Sequence, residues 1–436
     1  MRKKPRTEMD ASLSQVVARI SRLAAGDRAM FWVLMISAAI LSQPIALAEE
    51  PTVEIVTQQS APAGEETALN SGRPVPRFQI STEFHGGYDD NFNTSQGNTS
   101  QGRGGAWFTE EQLTLSYHSP NPDTLLNAVA GVGATTYFGE RTDTKAFLDL
   151  ELSHPMTRRL TLNASLDARY QVEPDLVSNT GPTNRRGSFY SIDYRMWAEY
   201  ELTRRLSSVS SYNFRLIRYE NDATALFTDR EEHTLGEQIR FTLTSTTVLT
   251  GEYRLLLVDY VTAALDSTTH FFLGGLEHRF NSRLRAQARG GASIRSFDFG
   301  ESQTNPDFEG SMEYMLGSRT SVSWTGSYSV EQPQQQGVIS QKAFRTGLRL
   351  SHDFTRRING SLALNYNHER EQQGTTLVSA GPTFDQDVFS LSLRAQYQLS
   401  SRLAFDARYE HSEVSSGRTL SDYTRNRYSA GFNFTF

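Results

Sequence analysis

Residues 160–172 alternate without a break. Leu160, Leu162, Ala164, Leu166, Ala168, Tyr170 and Val172 fall on one face, and Thr161, Asn163, Ser165, Asp167, Arg169 and Gln171 on the other. A period of two puts successive side chains on opposite faces of a strand, whereas a helix needs a period of 3.6. The same alternation runs through 190–202, 284–294, 389–399, 403–409 and 428–436. Most of these runs are long: a strand that crosses a membrane needs about 9–11 residues, while strands in soluble proteins usually have about 5–6. Their polar faces carry Asp, Glu and Arg in mid-run, as in a barrel whose apolar face meets lipid and whose polar face lines a lumen.

A short turn punctuates the runs. It reads MTRRL (156–160), LTRRL (202–206), FNSRL (280–284), LGSRT (316–320), FTRRI (354–358) and LSSRL (399–403). Its arginines, Arg159, Arg205, Arg283, Arg319, Arg357 and Arg402, recur every 36 to 46 residues, with one doubled interval that holds a variant turn at 243–248. An earlier turn lies at 119–123. One hairpin repeated in this way is the unit of an up-and-down barrel. Eight tight turns, with both barrel ends on the same side, predict an all-β, transmembrane, antiparallel barrel of about 18 strands (16–18), with nine loops opposite. The longer loops are expected at 89–106, 173–187 and 371–387, which are rich in Gly, Asn, Ser, Thr and Gln.

The two ends of the chain fit this architecture. Basic residues precede an apolar segment that closes on Ala46-Leu47-Ala48, so 1–48 reads as a signal peptide. Residues 49–76 are aperiodic and rich in Pro, Glu, Gln and Ser, the composition of a flexible periplasmic tail. The barrel is then expected over 77–436. Its last run ends on alternating aromatics, Tyr428, Phe432, Phe434 and Phe436, a pattern suited to recognition by barrel assembly machinery and to pairing with a first strand near 78–88. Left unpaired in a soluble protein, such an apolar edge would aggregate. The expected location is the cell outer membrane, with outer-membrane lipid and lipopolysaccharide as surroundings.

Several chemistries find no support in the sequence. Without cysteine there is no disulfide framework or thiolate metal site. A net charge of −6 excludes a nucleic-acid binder that relies on bulk positive charge. No nucleophile elbow, HExxH or P-loop occurs, so no catalytic residue and no cofactor is assigned. His118, His154, His278 and His352 lie near the tight turns, and His233, His270, His368 and His411 near the opposite ends. Asp89, Asp90, Asn91 and Asn93 offer oxygens at a spacing that could hold Ca²⁺, but these residue types also favour turns, the preferred reading.

The polar phase of the runs is where function is expected. Acids gather early (Asp149, Glu151, Asp167, Asp193, Glu199, Glu201), and arginines gather late (Arg285, Arg289, Arg295, Arg345, Arg349, Arg394), a partial separation with Arg169 and Arg195 among the acids and Glu309 and Glu313 among the arginines. On a closed wall these become opposed arcs, which would set a field across a water-filled pore unless the charges pair locally. The leading expectation is a channel for polar solutes or an exported polysaccharide. The alternatives are a non-conducting barrel that engages lipopolysaccharide or a partner and, third, a barrel enzyme.

The GYDDNFNTS stretch (87–95), the Arg-marked turns and the aromatic end together resemble the putative β-barrel porin-2 type of outer-membrane proteins. Only Asp89 to Phe92 is specific among these features. The resemblance implies a barrel over 78–436 and, through relatives associated with exopolysaccharide, partners among polysaccharide synthesis and export proteins. It carries over no functional residue, and this chain shows no fused helical-repeat scaffold.

Overall fold

The computed structural model describes residues 78–94, 104–119, 121, 123–172, 188–220, 229–261, 266–298, 302–332, 338–376, 379–417 and 422–436. The expected signal peptide, the tail and the loop 173–187 lie outside the described residues.

Eighteen strands follow one another: β1 (Phe78–Asp89), β2 (Ala106–His118), β3 (Leu125–Tyr137), β4 (Thr142–Pro155), β5 (Leu160–Val172), β6 (Ser188–Thr203), β7 (Leu206–Tyr219), β8 (Arg230–Thr244), β9 (Thr247–Tyr260), β10 (Ser267–Arg279), β11 (Leu284–Phe297), β12 (Gln303–Met315), β13 (Thr320–Glu331), β14 (Val338–Asp353), β15 (Ile358–Thr376), β16 (Ser379–Gln398), β17 (Leu403–Ser416) and β18 (Tyr423–Thr435). Each pairs antiparallel with its neighbours in sequence. β1 also pairs with β18, from Ser81 opposite Thr435 to Asp89 opposite Arg427, so the sheet is closed. Closure leaves no unpaired edge, the condition under which strands can cross hydrocarbon.

The Arg-marked turns have a local cause. The residue two before the arginine closes the turn with its side chain in five of the six turns. Thr157 Oγ1 accepts from the amides of Arg159 and Leu160 at 3.2 and 3.0 Å, and Thr203 Oγ1 from those of Arg205 and Leu206 at 3.2 and 3.1 Å. Asn281 Oδ1 and Thr355 Oγ1 do the same for Arg283–Leu284 and Arg357–Ile358. In the variant LGSRT the position is Gly317, whose φ of 127° suits glycine. The arginine carbonyl then joins the next strand: Arg159 O accepts from Glu201 N at 2.9 Å, and Arg357 O from Gln398 N at 2.7 Å. The repeat is thus a turn that begins the following ladder.

Nine connections lie at the opposite end. One departs from expectation. Segment 371–387 is not a loop: β15 runs to Thr376 and β16 starts at Ser379, so the two strands form the protruding end of a hairpin, with register shifts around Gly374. Its Gly, Ser and Thr content reads as loop, but backbone pairing across the hairpin does not depend on side-chain alternation.

The outward phase carries the apolar set. Phe78, Ile80 and Phe84 of β1, Leu113 and Leu115 of β2, Leu362 and Leu364 of β15 and Leu391 and Leu393 of β16 stand on it. Rings of Tyr88, Trp107, Phe308, Phe344, Tyr366, Phe389 and Tyr428 mark its loop end, the girdle expected where hydrocarbon meets headgroups.

Candidate functional site

Contacts that skip strands are possible only on the concave side of a closed sheet. Arg254 on β9 reaches Glu309 on β12 at 2.8 Å, Arg240 on β8 reaches Glu277 on β10 at 2.7 Å, and Arg408 on β17 reaches Glu83 on β1 at 2.9 Å. Their phase therefore lines the lumen. By register, Asp149, Glu151, Asp167, Asp193, Glu199, Glu201, Arg285, Arg289, Arg295, Arg345, Arg349 and Arg394 all share it.

Most of these charges are closed locally. Arg285 pairs with Glu313 at 2.5 Å. Arg289 bridges Glu252 at 2.6 Å and Glu309 at 2.9 Å. Arg345 holds Glu331 at 2.6 Å and Glu369 at 2.7 Å, and Arg394 lies 3.5 Å from Asp406. Among the acids, Asp167 and Asp149 share Arg169 at 2.5 and 3.4 Å, and Asp193 takes Arg215 at 2.7 Å. Arg295, 1% exposed, donates to Thr269 Oγ1 and to the carbonyls of Glu331 and Val330. Two opposed arcs of uncompensated charge are therefore not the arrangement: local pairing cancels most of the arginines and half of the acids, Glu199 being one of the acids with no ion pair among the described residues. Among the described residues, Arg349, Glu151 and Glu201 make no ion pair. All three are exposed in the turn-side half of the lumen.

Arg169, Glu309 and Glu313 were expected in the wall; the missed partners, Arg215, Glu252, Glu331, Glu369 and Asp406, had one available signal, their place in the polar phase. Which neighbour each would meet depends on strand stagger, which one run does not reveal.

β13 supplies a different surface. Its inward positions are Ser321, Ser323, Thr325, Ser327 and Ser329, an uninterrupted hydroxyl ladder. Inward Ser361, Asn365 and Asn367 of β15 and Ser390 and Ser392 of β16 extend it beyond Arg345 and Arg349. Thr325, Arg349 and Asn365 are exposed within it.

Toward the loop end the lumen-facing side chains become buried, and the Asp89–Asn91 stretch acts there. Arg425 grips Asp89, its Nη2 2.5 Å and its Nε 3.0 Å from Oδ2, while Tyr137 Oη donates to the same oxygen at 3.4 Å. Asp89 Oδ1 accepts from Asn91 N at 3.1 Å, and Asp90 takes both the amide and the Nδ2 of Asn426 at 2.7 Å. Asn91 Nδ2 donates to Thr424 O at 3.0 Å, and Phe92 stacks on Tyr137 with centroids 5.0 Å apart. The carboxylates are occupied by β18, so the stretch is a turn latched to the last strand. No group of three or more acidic or histidine side chains that could hold a metal occurs among the described residues.

The outward face accounts for most of the histidines. At the turn end Thr124, Thr247 and Thr320 meet the Nδ1 atoms of His154, His278 and His352 at 2.8, 2.9 and 2.8 Å. At the loop end Tyr212 pairs with His233, Tyr253 with His270 and Asn426 with His411, each at 2.9 Å. Tyr428, Phe432, Phe434 and Phe436 are exposed outward, with Phe432 opposite Phe84 and Tyr428 opposite Tyr88.

Among known proteins, the family described as Putative beta-barrel porin 2 matches residues 258–436. No curated protein matches. Similar solved structures include the siderophore receptor PirA from Pseudomonas aeruginosa (TM-score 0.42, 11% identity, 84% of this chain and 81% of that one). OccAB4 from Acinetobacter baumannii (0.40, 10%, 83% and 99%) and OccK9 from Pseudomonas aeruginosa (0.42, 10%, 82% and 98%) are others. The match spans β10–β18, half of the strands, and does not include the Asp89–Phe92 stretch. With its closed wall and polar lumen, the chain is a porin-like barrel, and its β10–β18 part is similar to the Putative beta-barrel porin 2 family.

Proposed function

We propose that the barrel sits in the outer membrane and passes polar, sugar-like solutes along the wall formed by β13–β16. The observation that carries this reading is the hydroxyl and amide ladder from Ser321 to Ser329, continued by Asn365, Asn367 and Ser392. Each hydroxyl both donates and accepts, and each amide offers both functions, so the wall matches the hydrogen-bonding of a carbohydrate without requiring charge. Export of a polysaccharide is the larger-scale version of the same chemistry. The paired arginines and acids keep the rest of the wall wet at little net charge. The reading is of a conduit and assigns no reaction to the histidines, most of which are hydrogen-bonded on the outer face.

The burial of lumen-facing side chains at the loop end supports a second reading, a barrel that does not conduct by itself. The purified full chain in planar bilayers separates the two. Discrete conductance steps, together with swelling of proteoliposomes in neutral oligosaccharides, support the channel. Silent bilayers and no swelling would leave the structural barrel.

A further inference from the structure

Above the loop-end aromatics, the outer face of β14–β16 carries charge. Lys342 on β14 lies directly opposite Arg370 on β15, and Arg370 lies opposite Asp385 on β16. Two residues toward the turn end, Phe344 faces His368, and Tyr366 and His368 both bond Asp387, at 2.6 and 2.9 Å. The cations therefore stand one outward step beyond the aromatic girdle, Arg370 on the β15–β16 hairpin and Lys342 on β14 beside it.

Directly opposed like charges destabilise a strand pair unless something lies between them. Arg370 is compensated on one side only. Its Nε donates to Asp385 at 2.7 Å and its Nη2 lies 3.5 Å from the same carboxylate, which leaves the Nη1 edge open. The Arg370 side chain is 57% exposed. Lys342 has no acidic partner among the described residues. An open guanidinium edge beside an ammonium, at headgroup height and facing away from the lumen, suits a phosphate oxygen.

We infer that Lys342 and Arg370 form a binding site for the phosphorylated headgroup of an outer-leaflet glycolipid, with Phe344 and Tyr366 against the start of its acyl region. The site rests on the outer-membrane placement proposed above, but its chemistry can be measured apart from it.

The test uses the full chain purified in detergent, with native mass spectrometry of added lipooligosaccharide and of the same lipid after removal of its phosphates. The wild type should retain the phosphorylated lipid, and K342A/R370A should bind it roughly thirtyfold more weakly, the effect of removing two cations near an anionic headgroup. R218A, which removes an outward cation on β7, should bind as the wild type does. Equal binding by K342A/R370A, or equal binding of the dephosphorylated lipid, would overturn the site. A heat-modifiable gel band shows that each variant is folded, and Lys342→Gln replaces the double variant if that one fails. Membrane fractionation reads the placement separately. A barrel found elsewhere that still prefers the phosphorylated lipid would sink the location and keep the site.

Discussion

The two ends of the lumen are built from the same alternating strands and behave differently. At the loop end, lumen-facing side chains are buried and joined across strands: Asp89 to Arg425 and Tyr137, Arg295 to the backbone of β13, and Tyr260 to Gln332. At the turn end burial is incomplete: Asp406 and Arg240 are buried, but Arg285, Arg349, Glu151 and Glu201 are exposed, and the last three make no ion pair among the described residues. Charge at the loop end is part of what holds the barrel shut, because a buried ion that loses its partner keeps its desolvation cost. The exposed charges at the turn end are screened by water and contribute little to stability.

Arg425→Ala tests this contrast most sharply. It strands the Asp89 carboxylate, which is 0% exposed, and should cost about 3 to 5 kcal/mol, read as an earlier midpoint of unfolding in urea. Arg285→Ala, at the exposed end, should cost less than about 1 kcal/mol in the same assay, and comparable losses would erase the distinction. Gly87→Val should also weaken the loop end, because a Cβ there would come within 2.1 Å of Tyr428 O and push the seam apart. Its expected signature is a lower temperature for loss of the compact gel band.

At the turn end the expected effects are on current. Arg349→Glu should move the zero-current potential in a salt gradient toward cation preference while stability changes by less than about 0.5 kcal/mol. Unchanged selectivity would mean that solutes do not pass Arg349. Glu201→Gln should move selectivity the opposite way and by less, since Glu201 sits near the mouth, where salt screens it.

Strand number, turn positions and wall polarity were legible in the sequence because each follows from local pattern. Alternation fixes the face, and the Thr, Asn, Ser or Gly two residues before each turn arginine fixes the reversal. The lumen charges were legible as positions and not as pairs. Arg289 meets Glu252 and Glu309 only once β9, β11 and β12 are staggered together. The hairpin at 371–387 was hidden because its composition is that of a loop. The Asp89–Asn91 stretch showed its turn but not its purpose, since Arg425 and Asn426 are more than 300 residues away in sequence.

That separation gives the latch a meaning in time. The first loop is held by residues of the last strand, so the contact cannot form until β18 has arrived and paired with β1. Contacts between distant parts of a chain form late, because the loop entropy must be lost first. A barrel arrested before its final strand would keep Asp89 and Asp90 solvated and its first hairpin loose. The pairing with Arg425 and Asn426 therefore reports that every strand is in place, a completion signal written into the wall itself.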